Sequence, residues 1–325
     1  MRGIKGAALG LAAVLLGLSG CAGAPAAGAQ RSVALIAKST QTEFWLSVFA
    51  GAEAAATEYN LSLTLSGPET EEDYEAQNQM IAQAVEAGAD AIVFSAIDQE
   101  KNAAAIDEAA RQGVRIVSID SGVVSDQVGT YIGTDNYAAG RMAAQAALEG
   151  VEGPMNVGVV NYDEGTANGQ ERQQGALDAL AESGRAQVTA VVTTLVEAGQ
   201  AQADTAALLR AHPEINVLLA FNEPTSVGAA GAVAQLGRQE EVFLVGFDSN
   251  VATIDGLQEG SVDALIVQNP YAMGYLGVES AYMLLAGRGG ELEEKVDTST
   301  QIVDRRNLFS VDSQKALFAF DFRKN

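Results

Sequence analysis

The sequence has 325 residues, of which 48% are hydrophobic and 19% are charged. A chain of this size can bury one large core or two smaller ones. It carries 19 Lys and Arg residues against 42 Asp and Glu residues, a formal net charge of -23. That charge repels nucleic acid, so we expect no nucleic-acid partner. Because the one histidine, His212, precedes Pro213, we also expect no His-based catalytic triad and no multi-His metal site.

The first 20 residues have the features of a targeting segment. Arg2 and Lys5 form a charged region, and residues 6–18 form an apolar stretch too short to span a bilayer well. The sequence LSGC follows and ends at Cys21, the only cysteine. It is similar to a bacterial lipobox, which implies cleavage before Cys21 and lipid on its sulfur; an ordinary cleaved signal peptide is the alternative. Residues 21–31 are expected to hold this lipidated cysteine and a flexible tether.

From residue 31 onward, short β-branched runs alternate with longer Ala-rich runs. This alternation indicates repeated βαβ units with parallel sheets. The run AIVF at residues 91–94 is apolar at every position, as is typical of a strand covered by helices on both faces. Strands are predicted over residues 33–37, 61–65, 91–94, 116–119, 130–132, 156–160, 188–193, 217–221, 242–245 and 264–268. Helices are predicted over residues 44–59, 72–87, 101–112, 137–148, 169–183, 200–211, 225–235, 251–259 and 272–286.

One open sheet of this type does not usually hold so many strands, so we divide the chain into two α/β lobes. A Gly- and Pro-containing break at residues 149–154 separates two series of βαβ units. A further strand is expected near residues 298–303. The first lobe is predicted to comprise residues 32–134 and 269–297, and the second residues 135–268 and 298–303. Residues 304–325, with Phe318, Phe320 and Phe322, are expected to form a C-terminal strand or strap packed on a lobe surface.

A polar turn, KSTQTEFW over residues 38–45, follows the first predicted strand. It places a cation, hydroxyl groups, a carboxylate and two aromatic rings at the C-terminal end of that strand. Ligands of open parallel sheets bind at the carboxyl ends of the strands. We therefore expect later polar loops to converge on this turn and to enclose a small polar ligand.

Several motifs resemble, in order and spacing, the ribose-type solute-binding proteins of bacterial ABC transporters, which share their fold with the ligand domains of LacI-type repressors. They are Phe44-Trp45, Ser118-Ile119-Asp120, Thr134-Asp135-Asn136, Phe221-Asn222-Glu223, Val245-Gly246-Phe247-Asp248 and Val267-Gln268-Asn269-Pro270. The resemblance spans about residues 32–303, and the lack of a helix-turn-helix segment before residue 31 puts the repressor branch aside. It implies two Rossmann-like lobes, three crossovers near residues 134, 268–270 and 297–299, a ligand cleft between the lobes, and a permease that senses closure.

The resemblance also implies roles for single residues. A sugar presents hydroxyl groups at its rim, which suit carboxylates and amides. It presents C–H groups on its faces, which suit aromatic rings. Phe44 and Trp45 are implied to stack on the ligand, although they could instead be the first core residues of the following helix. The implied partners of the hydroxyl groups are Asp120, Asn222, Asp248 and Gln268. Asp120 could instead be a turn residue, Asn222 and Asp248 could be helix N-caps, and Gln268 could be a hinge residue.

The chain departs from the family at two places. The family has arginines where this chain has Ser121 and Gln170, and both stay in the candidate site. Arg172 lies two residues further on, about 200° around a helix, and is expected to face elsewhere, for example in a structural ion pair. Lys38 replaces a small polar residue and is similar to the lysine of autoinducer-2 receptors, which bind a furanosyl polyol. Its alternative is an exposed lysine paired with Glu43.

The sequence predicts a lipid-anchored, extracytoplasmic, non-enzymatic and monomeric receptor that captures a sugar, a polyol or a related ligand by lobe closure and delivers it to an ABC permease. We expect no cofactor. Two alternatives remain: a receptor for a furanosyl signal that reports to a membrane kinase or chemoreceptor, and a hydrolase with paired carboxylates such as Asp163 and Glu164. One cation among several carboxylates fits a neutral or amino-bearing ligand better than a strongly anionic one. Further candidates for ligand contact are Thr40, Glu43, Asp163, Glu164 and Arg172.

Overall fold

The computed structural model describes residues 30–318. The predicted signal peptide, Cys21, Phe320 and Phe322 lie outside the described residues. The strands are β1 (Ser32–Ile36), β2 (Ser62–Ser66), β3 (Ala91–Phe94), β4 (Arg115–Ile119), β5 (Val128–Gly133), β6 (Met155–Tyr162), β7 (Ala186–Thr194), β8 (Val217–Ala220), β9 (Phe243–Phe247), β10 (Ala264–Val267), β11 (Lys295–Asp297) and β12 (Gln301–Asp304). The helices are α1 (Glu43–Glu58), α2 (Tyr74–Glu86), α3 (Ala103–Arg111), α4 (Asn136–Gly150), α5 (Ala167–Ser183), α6 (Ala198–Ala211), α7 (Glu223–Gln235), α8 (Val251–Glu259), α9 (Pro270–Leu285) and α10 (Val311–Leu317).

Within residues 30–318 the strands form two six-stranded sheets, one in each lobe. The first has the order β11-β5-β4-β3-β1-β2 and the second the order β12-β10-β9-β8-β6-β7. Neighbouring strands are parallel except for β12, which runs antiparallel to β10. The predicted two-lobed α/β fold is confirmed. The expectation of purely parallel sheets is corrected at β12, because the chain enters this strand at the cleft, where the other strands of the sheet end.

The chain passes between the two sheets three times. It does so after β5, after β10 and between β11 and β12. Thr134, which follows β5, donates its hydroxyl to Gln268 Oε1, which follows β10, over 2.8 Å. Thr300, between β11 and β12, donates to Thr134 Oγ1 over 3.4 Å. Hydrogen bonds therefore join all three crossings at one place.

Each sheet is buried on both faces. In β1, Val33 and Leu35 pack into one apolar cluster, whereas Ala34 and Ile36 pack into a second cluster on the opposite face. The second lobe repeats this arrangement with two clusters of its own. Since side chains alternate between the two faces of a strand, a sheet covered by helices on both sides requires the continuous apolar runs that the sequence contains.

Glycines bring two pairs of helices into close contact. A Cβ atom at Gly51 of α1 or at Gly274 of α9 would overlap a backbone carbonyl oxygen of the facing helix. The second lobe has an equivalent close contact between α4 and α5, at Gly140 and Gly175. Each pair includes a helix that begins at the cleft, so this close packing fixes the position of residues in the candidate site.

Two short elements were not predicted. Strand β11 (Lys295–Asp297) extends the first sheet beside β5, and helix α10 (Val311–Leu317) forms within the predicted strap. The strand expected near residues 298–303 is β12, and it lies in the second sheet. Among the helices of residues 30–318, none is both long and apolar enough to span a membrane.

Candidate functional site

A cavity lies between the lobes, where strands of both sheets end. The open space at this point is about 290 Å³ including space continuous with solvent, of which about 20 Å³ can hold the centre of a water molecule. The lobes therefore lie close together around the site, and they must separate to admit a sugar ring. The first lobe contributes Lys38, Thr42, Phe44, Trp45, Glu71 and Asp120 to the lining. The second lobe contributes Tyr162, Asn168, Arg172, Asn222, Glu223, Pro224 and Asp248, and Gln268 lies at the crossing.

The first turn of α1 brings two aromatic rings to the cavity. Thr42 is the N-cap residue, and its hydroxyl accepts a hydrogen bond from the Trp45 backbone N–H over 3.4 Å. The rings of Phe44 and Trp45 meet edge to face, with their centroids 5.1 Å apart. Trp45 Nε1 donates to Glu71 Oε1 over 2.8 Å. Both rings also belong to the core cluster of the first lobe, so the two roles considered for them are compatible.

Lys38 is buried directly after β1, with its ammonium group between two carboxylates. Its Nζ atom lies 3.4 Å from Glu71 Oε2 and 3.7 Å from Asp120 Oδ2. Burial by itself lowers the pKa of Lys38, but the two carboxylates raise it, and the net pKa is above the ordinary value. The lysine is therefore charged. The alternative of an exposed lysine paired with Glu43 is wrong.

Asp120 follows β4 and connects the two lobes. Its Oδ2 atom accepts a hydrogen bond from the Ser95 hydroxyl over 2.8 Å, within the first lobe. Its Oδ1 atom accepts one from the amide of Asn168, in the second lobe, over 3.2 Å. Its backbone has a positive φ of 56°. Asp248, after β9, also has a positive φ, of 65°, so the two lobes present equivalent aspartates from equivalent turns.

Arg172 is fully buried in the wall of the cavity. Its Nε atom donates to Asn136 Oδ1 over 2.9 Å, Nη1 to the Phe221 carbonyl oxygen over 2.6 Å, and Nη2 to Gln268 Oε1 over 2.7 Å. The guanidinium group also lies over the ring of Phe247, 4.6 Å from its centroid. These contacts fix the guanidinium group beside the crossing between the lobes.

The position of Arg172 corrects two expectations. Asn168 and Arg172 both lie in α5, which begins at Ala167. Because they are four residues apart, they share the helix face toward the cavity. Gln170 lies between them on the opposite face, where it is exposed and donates its amide to the carbonyl oxygen of Glu164. The expectation that Gln170 lines the site and Arg172 faces elsewhere is therefore wrong. The pocket does contain a guanidinium group.

Five other candidates do not line the cavity. Ser121 is buried, and its hydroxyl has no hydrogen-bond partner. Glu43 is not part of the lining, although its backbone N–H donates to Glu223. Asp163 Oδ1 accepts a hydrogen bond from the backbone of its own loop, Glu164 is exposed, and Thr40 lies outside the lining. The two acids proposed for a hydrolase therefore lie outside the cavity.

Six lining residues were missed by the sequence reasoning, namely Thr42, Glu71, Tyr162, Asn168, Glu223 and Pro224. Three of them could have been identified by the rule that ligands bind where strands end. Glu71 lies in the loop after β2, Tyr162 ends β6, and Glu223 follows β8. Glu223 even belongs to a motif that carries the family resemblance.

The cavity contains more acids than bases. Its acids are Glu71, Asp120, Glu223 and Asp248, and its bases are Lys38 and Arg172. Burial raises the pKa of Asp248 to about 6, against the opposing effects of Arg172 and Gln268. Burial also raises the pKa of Glu223 to about 7, against the hydrogen bonds that it accepts. Such a site disfavours a strongly anionic ligand.

Comparison with known proteins identifies the family. The model of the periplasmic binding protein domain matches residues 33–289, which include both lobes and the whole lining of the cavity. The chain belongs to the periplasmic binding protein family. The D-ribose/D-allose-binding protein of Pseudomonas aeruginosa is 28% identical over 281 residues, which cover 83% of this chain and 88% of that protein. The ribose import binding protein of Haemophilus influenzae is 25% identical over 291 residues, which cover 90% and 96%.

Solved structures of this family have the same fold. A carbohydrate transporter solute-binding protein from Agrobacterium radiobacter, in complex with D-arabinose, has a TM-score of 0.86 and 28% identity, and the match covers 89% of this chain and 99% of that one. An ABC transporter solute-binding protein from Agrobacterium vitis, with bound D-fucose, has a TM-score of 0.85 and 27% identity, with coverages of 88% and 99%. The resemblance to ribose-type solute-binding proteins is confirmed.

Proposed function

We propose that this protein is an extracytoplasmic solute-binding protein that captures a neutral monosaccharide or polyol between its lobes and delivers it to an ABC permease. One observation carries the proposal. A cavity between the lobes takes its lining from the strand ends of both lobes, and that lining combines aromatic rings with carboxylates and amides. A ligand that contacts both lobes stabilises their closed arrangement, because it binds that arrangement better than the open one.

The side chains of the lining divide according to the two kinds of sugar surface. The rings of Phe44 and Trp45 suit the C–H face of a sugar and exclude water from it. The hydroxyl groups at the rim are served by Asp120, Asn222, Asp248 and Gln268, together with the two cations. Four carboxylates beside two cations suit neutral hydroxyl groups better than a phosphate or carboxylate.

Contacts between the lobes surround the cavity. Asn168 bonds Asp120 across it, and the backbone N–H of Val196 donates to Glu72 Oε1 over 2.7 Å. The Gln99 N–H donates to the carbonyl oxygen of Gly165 over 3.1 Å. Ligand-dependent closure would bring these groups together and change the lobe surfaces that a permease contacts.

We also propose that the protein acts outside the cytoplasm and is attached to the membrane. Membership of the periplasmic binding protein family supports a site of action outside the cytoplasm. The lipobox-like sequence at Cys21 supports attachment to the membrane through lipid. We further propose that the protein binds its ligand without chemical change and acts as a monomer. Its binding-protein relatives support the first of these two statements.

Isothermal titration calorimetry against a panel of aldopentoses, aldohexoses, ketohexoses, polyols, sugar phosphates and a furanosyl borate tests the function. We expect at least one neutral monosaccharide or polyol to bind with micromolar or tighter affinity, and sugar phosphates to give no heat. Binding of the furanosyl borate alone would favour a signal receptor instead. The absence of heat from every member of the panel would contradict the proposed function.

A further inference from the structure

Glu71 faces two donor groups of the first lobe, one at each oxygen of its carboxylate. It lies in the loop between β2 and α2, and only 9% of its side chain is exposed. Its Oε1 atom accepts a hydrogen bond from Trp45 Nε1 over 2.8 Å, and its Oε2 atom lies 3.4 Å from Lys38 Nζ. Trp45 belongs to α1 and Lys38 follows β1, so Glu71 joins two separate segments of the site.

These two donors explain why a carboxylate stands at this position. An indole N–H and an ammonium group can only donate, and both Trp45 and Lys38 are buried. Buried donors need acceptors. A glutamate offers two acceptor oxygens, whereas a glutamine of the same size offers one oxygen and one NH2 group. A glutamine at position 71 would therefore leave one of the two donors facing another donor.

The ammonium group of Lys38 is held by charge more than by short hydrogen bonds. Its distances to Glu71 and Asp120, 3.4 and 3.7 Å, exceed the length of about 2.7–2.9 Å that is usual for a charge-assisted hydrogen bond. Nζ also lies 5.6 Å from the centroid of the Tyr162 ring, which belongs to the second lobe. The ammonium group can therefore donate to a ligand in the cleft while it stays beside the two carboxylates.

The loop that carries Glu71 is itself held at both ends. A Cβ atom at Gly67 would lie 3.2 Å from the carbonyl oxygen of Ala37, so the start of the loop packs against the segment that follows β1. At the other end Asp73 caps α2, because its side chain accepts a hydrogen bond from the Ala76 N–H over 2.8 Å. Contacts within the first lobe therefore fix the position of Glu71.

We propose that Glu71 is a positioning residue that presents the indole ring of Trp45 and the ammonium group of Lys38 to the ligand together. The ring covers a C–H face of the sugar, and the ammonium group donates to a hydroxyl group at its rim. Because Glu71 fixes both side chains in advance, the sugar does not have to order them and binds more tightly. The proposal rests on the proposed function, because this positioning affects affinity only if the ligand binds between the lobes.

Calorimetry tests the effect on affinity, with the panel sugar that binds the wild type most tightly as the probe. Glu71→Gln should bind this sugar about tenfold more weakly, because the sugar must then order Lys38 or Trp45 itself. Glu71→Ala removes both acceptors and should bind it more weakly still. Glu69→Gln, at an exposed position of the same loop, is the matched control and should bind as the wild type does.

The fluorescence of Trp45 gives a second measurement, which does not require the sugar. Trp45 is the only tryptophan of the chain, so tryptophan emission reports on this ring alone. In Glu71→Ala the indole N–H loses its acceptor and should turn toward water. Emission of the ligand-free variant should therefore move to longer wavelength, and acrylamide should quench it more strongly. Glu69→Gln should keep the wild-type spectrum.

Urea denaturation separates positioning from a contribution to stability alone. If Glu71 only stabilises the fold, its variants will unfold at lower urea concentration but keep the wild-type affinity and spectrum, and this result would overturn the proposal. Wild-type behaviour of Glu71→Gln and Glu71→Ala in all three measurements would contradict it as well. If no panel sugar binds the wild type, the proposed function fails, and the spectrum of ligand-free Glu71→Ala still decides whether Glu71 holds Trp45.

Discussion

Asp120 and Asp248 each adopt a left-handed backbone conformation at the end of a strand, with φ values of 56° and 65°. This conformation is uncommon for residues other than glycine, and Asp and Asn adopt it at a modest cost. It turns each carboxylate into the cleft between the lobes, where Asp120 meets Lys38 and Asp248 accepts a hydrogen bond from Gln268 over 2.6 Å. Strain of this kind, at matching positions of two lobes, is typical of residues that hold a ligand.

Asp120→Asn tests the residue that connects most of the site. The change keeps the shape of the side chain but removes a charge that faces Lys38, and it replaces one of the two oxygens that accept hydrogen bonds from Ser95 and Asn168 by an NH2 group. Since hydrogen bonds to charged groups contribute about 1.5–3 kcal/mol, we expect the affinity for the sugar to fall about 10- to 100-fold. Calorimetry measures the change, with the exposed Asp126→Asn as the matched control. Wild-type affinity in Asp120→Asn would show that Asp120 does not contact the ligand.

The sequence could place some of these residues but not others. Asp120, Asn222, Asp248 and Gln268 could be placed, because each lies within two residues of the end of an apolar strand that the sequence marks. Arg172 could not, because the face that it occupies depends on where α5 begins, and a shift of two residues rotates a side chain by about 200°. The family resemblance sets Gln170 in the place of an arginine, two residues before the arginine that lines the cavity.

At the scale of elements, the sequence predicts long periodic segments and misses short ones. Helix α1 and strand β3 have patterns long or apolar enough to identify them. Strand β11 has three residues and helix α10 has seven, so neither contains a readable period. The antiparallel direction of β12 also has no signal within its own four residues, because it depends on where the chain crosses from the other lobe.

Gly140→Ala tests the close packing of α4 on α5. A Cβ atom there would overlap the backbone carbonyl oxygen of Arg172, so the two helices must separate. We expect the free energy of unfolding to fall by about 3 kcal/mol, at the upper end of the usual cost of overpacking. Urea denaturation measures it. Helix propensity alone predicts that Gly140→Ala would raise the free energy of unfolding, because alanine is favoured over glycine in a helix by about 1 kcal/mol.

Gly231→Ala provides the matched control for this change. It also lies within a helix, α7, but the atoms nearest to its added Cβ belong to the side chain of Gln202, which can move. We expect little or no loss of stability in this variant. Equal stability of Gly140→Ala and Gly231→Ala would contradict the account of the α4–α5 contact.

At the scale of the whole molecule, the hinge and the ligand site share residues. Gln268 accepts hydrogen bonds from Thr134 at one crossing and from Arg172 in the cavity wall, and it donates to Asp248. A ligand that contacts these groups therefore acts directly on the segments about which the lobes move. The strand–helix alternation and the family resemblance were sufficient to predict two lobes and a cleft. They could not predict pairs such as Glu223 with α1, because these come together only when the lobes meet.

Small-angle X-ray scattering with and without the bound sugar tests the central claim, that a small neutral ligand closes two lobes around itself. We expect the radius of gyration to decrease as the sugar saturates the protein, with a midpoint that agrees with the calorimetric affinity. Asp120→Asn should need correspondingly more sugar to reach the same compact form. An unchanged radius of gyration at a sugar concentration that calorimetry shows to be saturating would contradict binding by lobe closure.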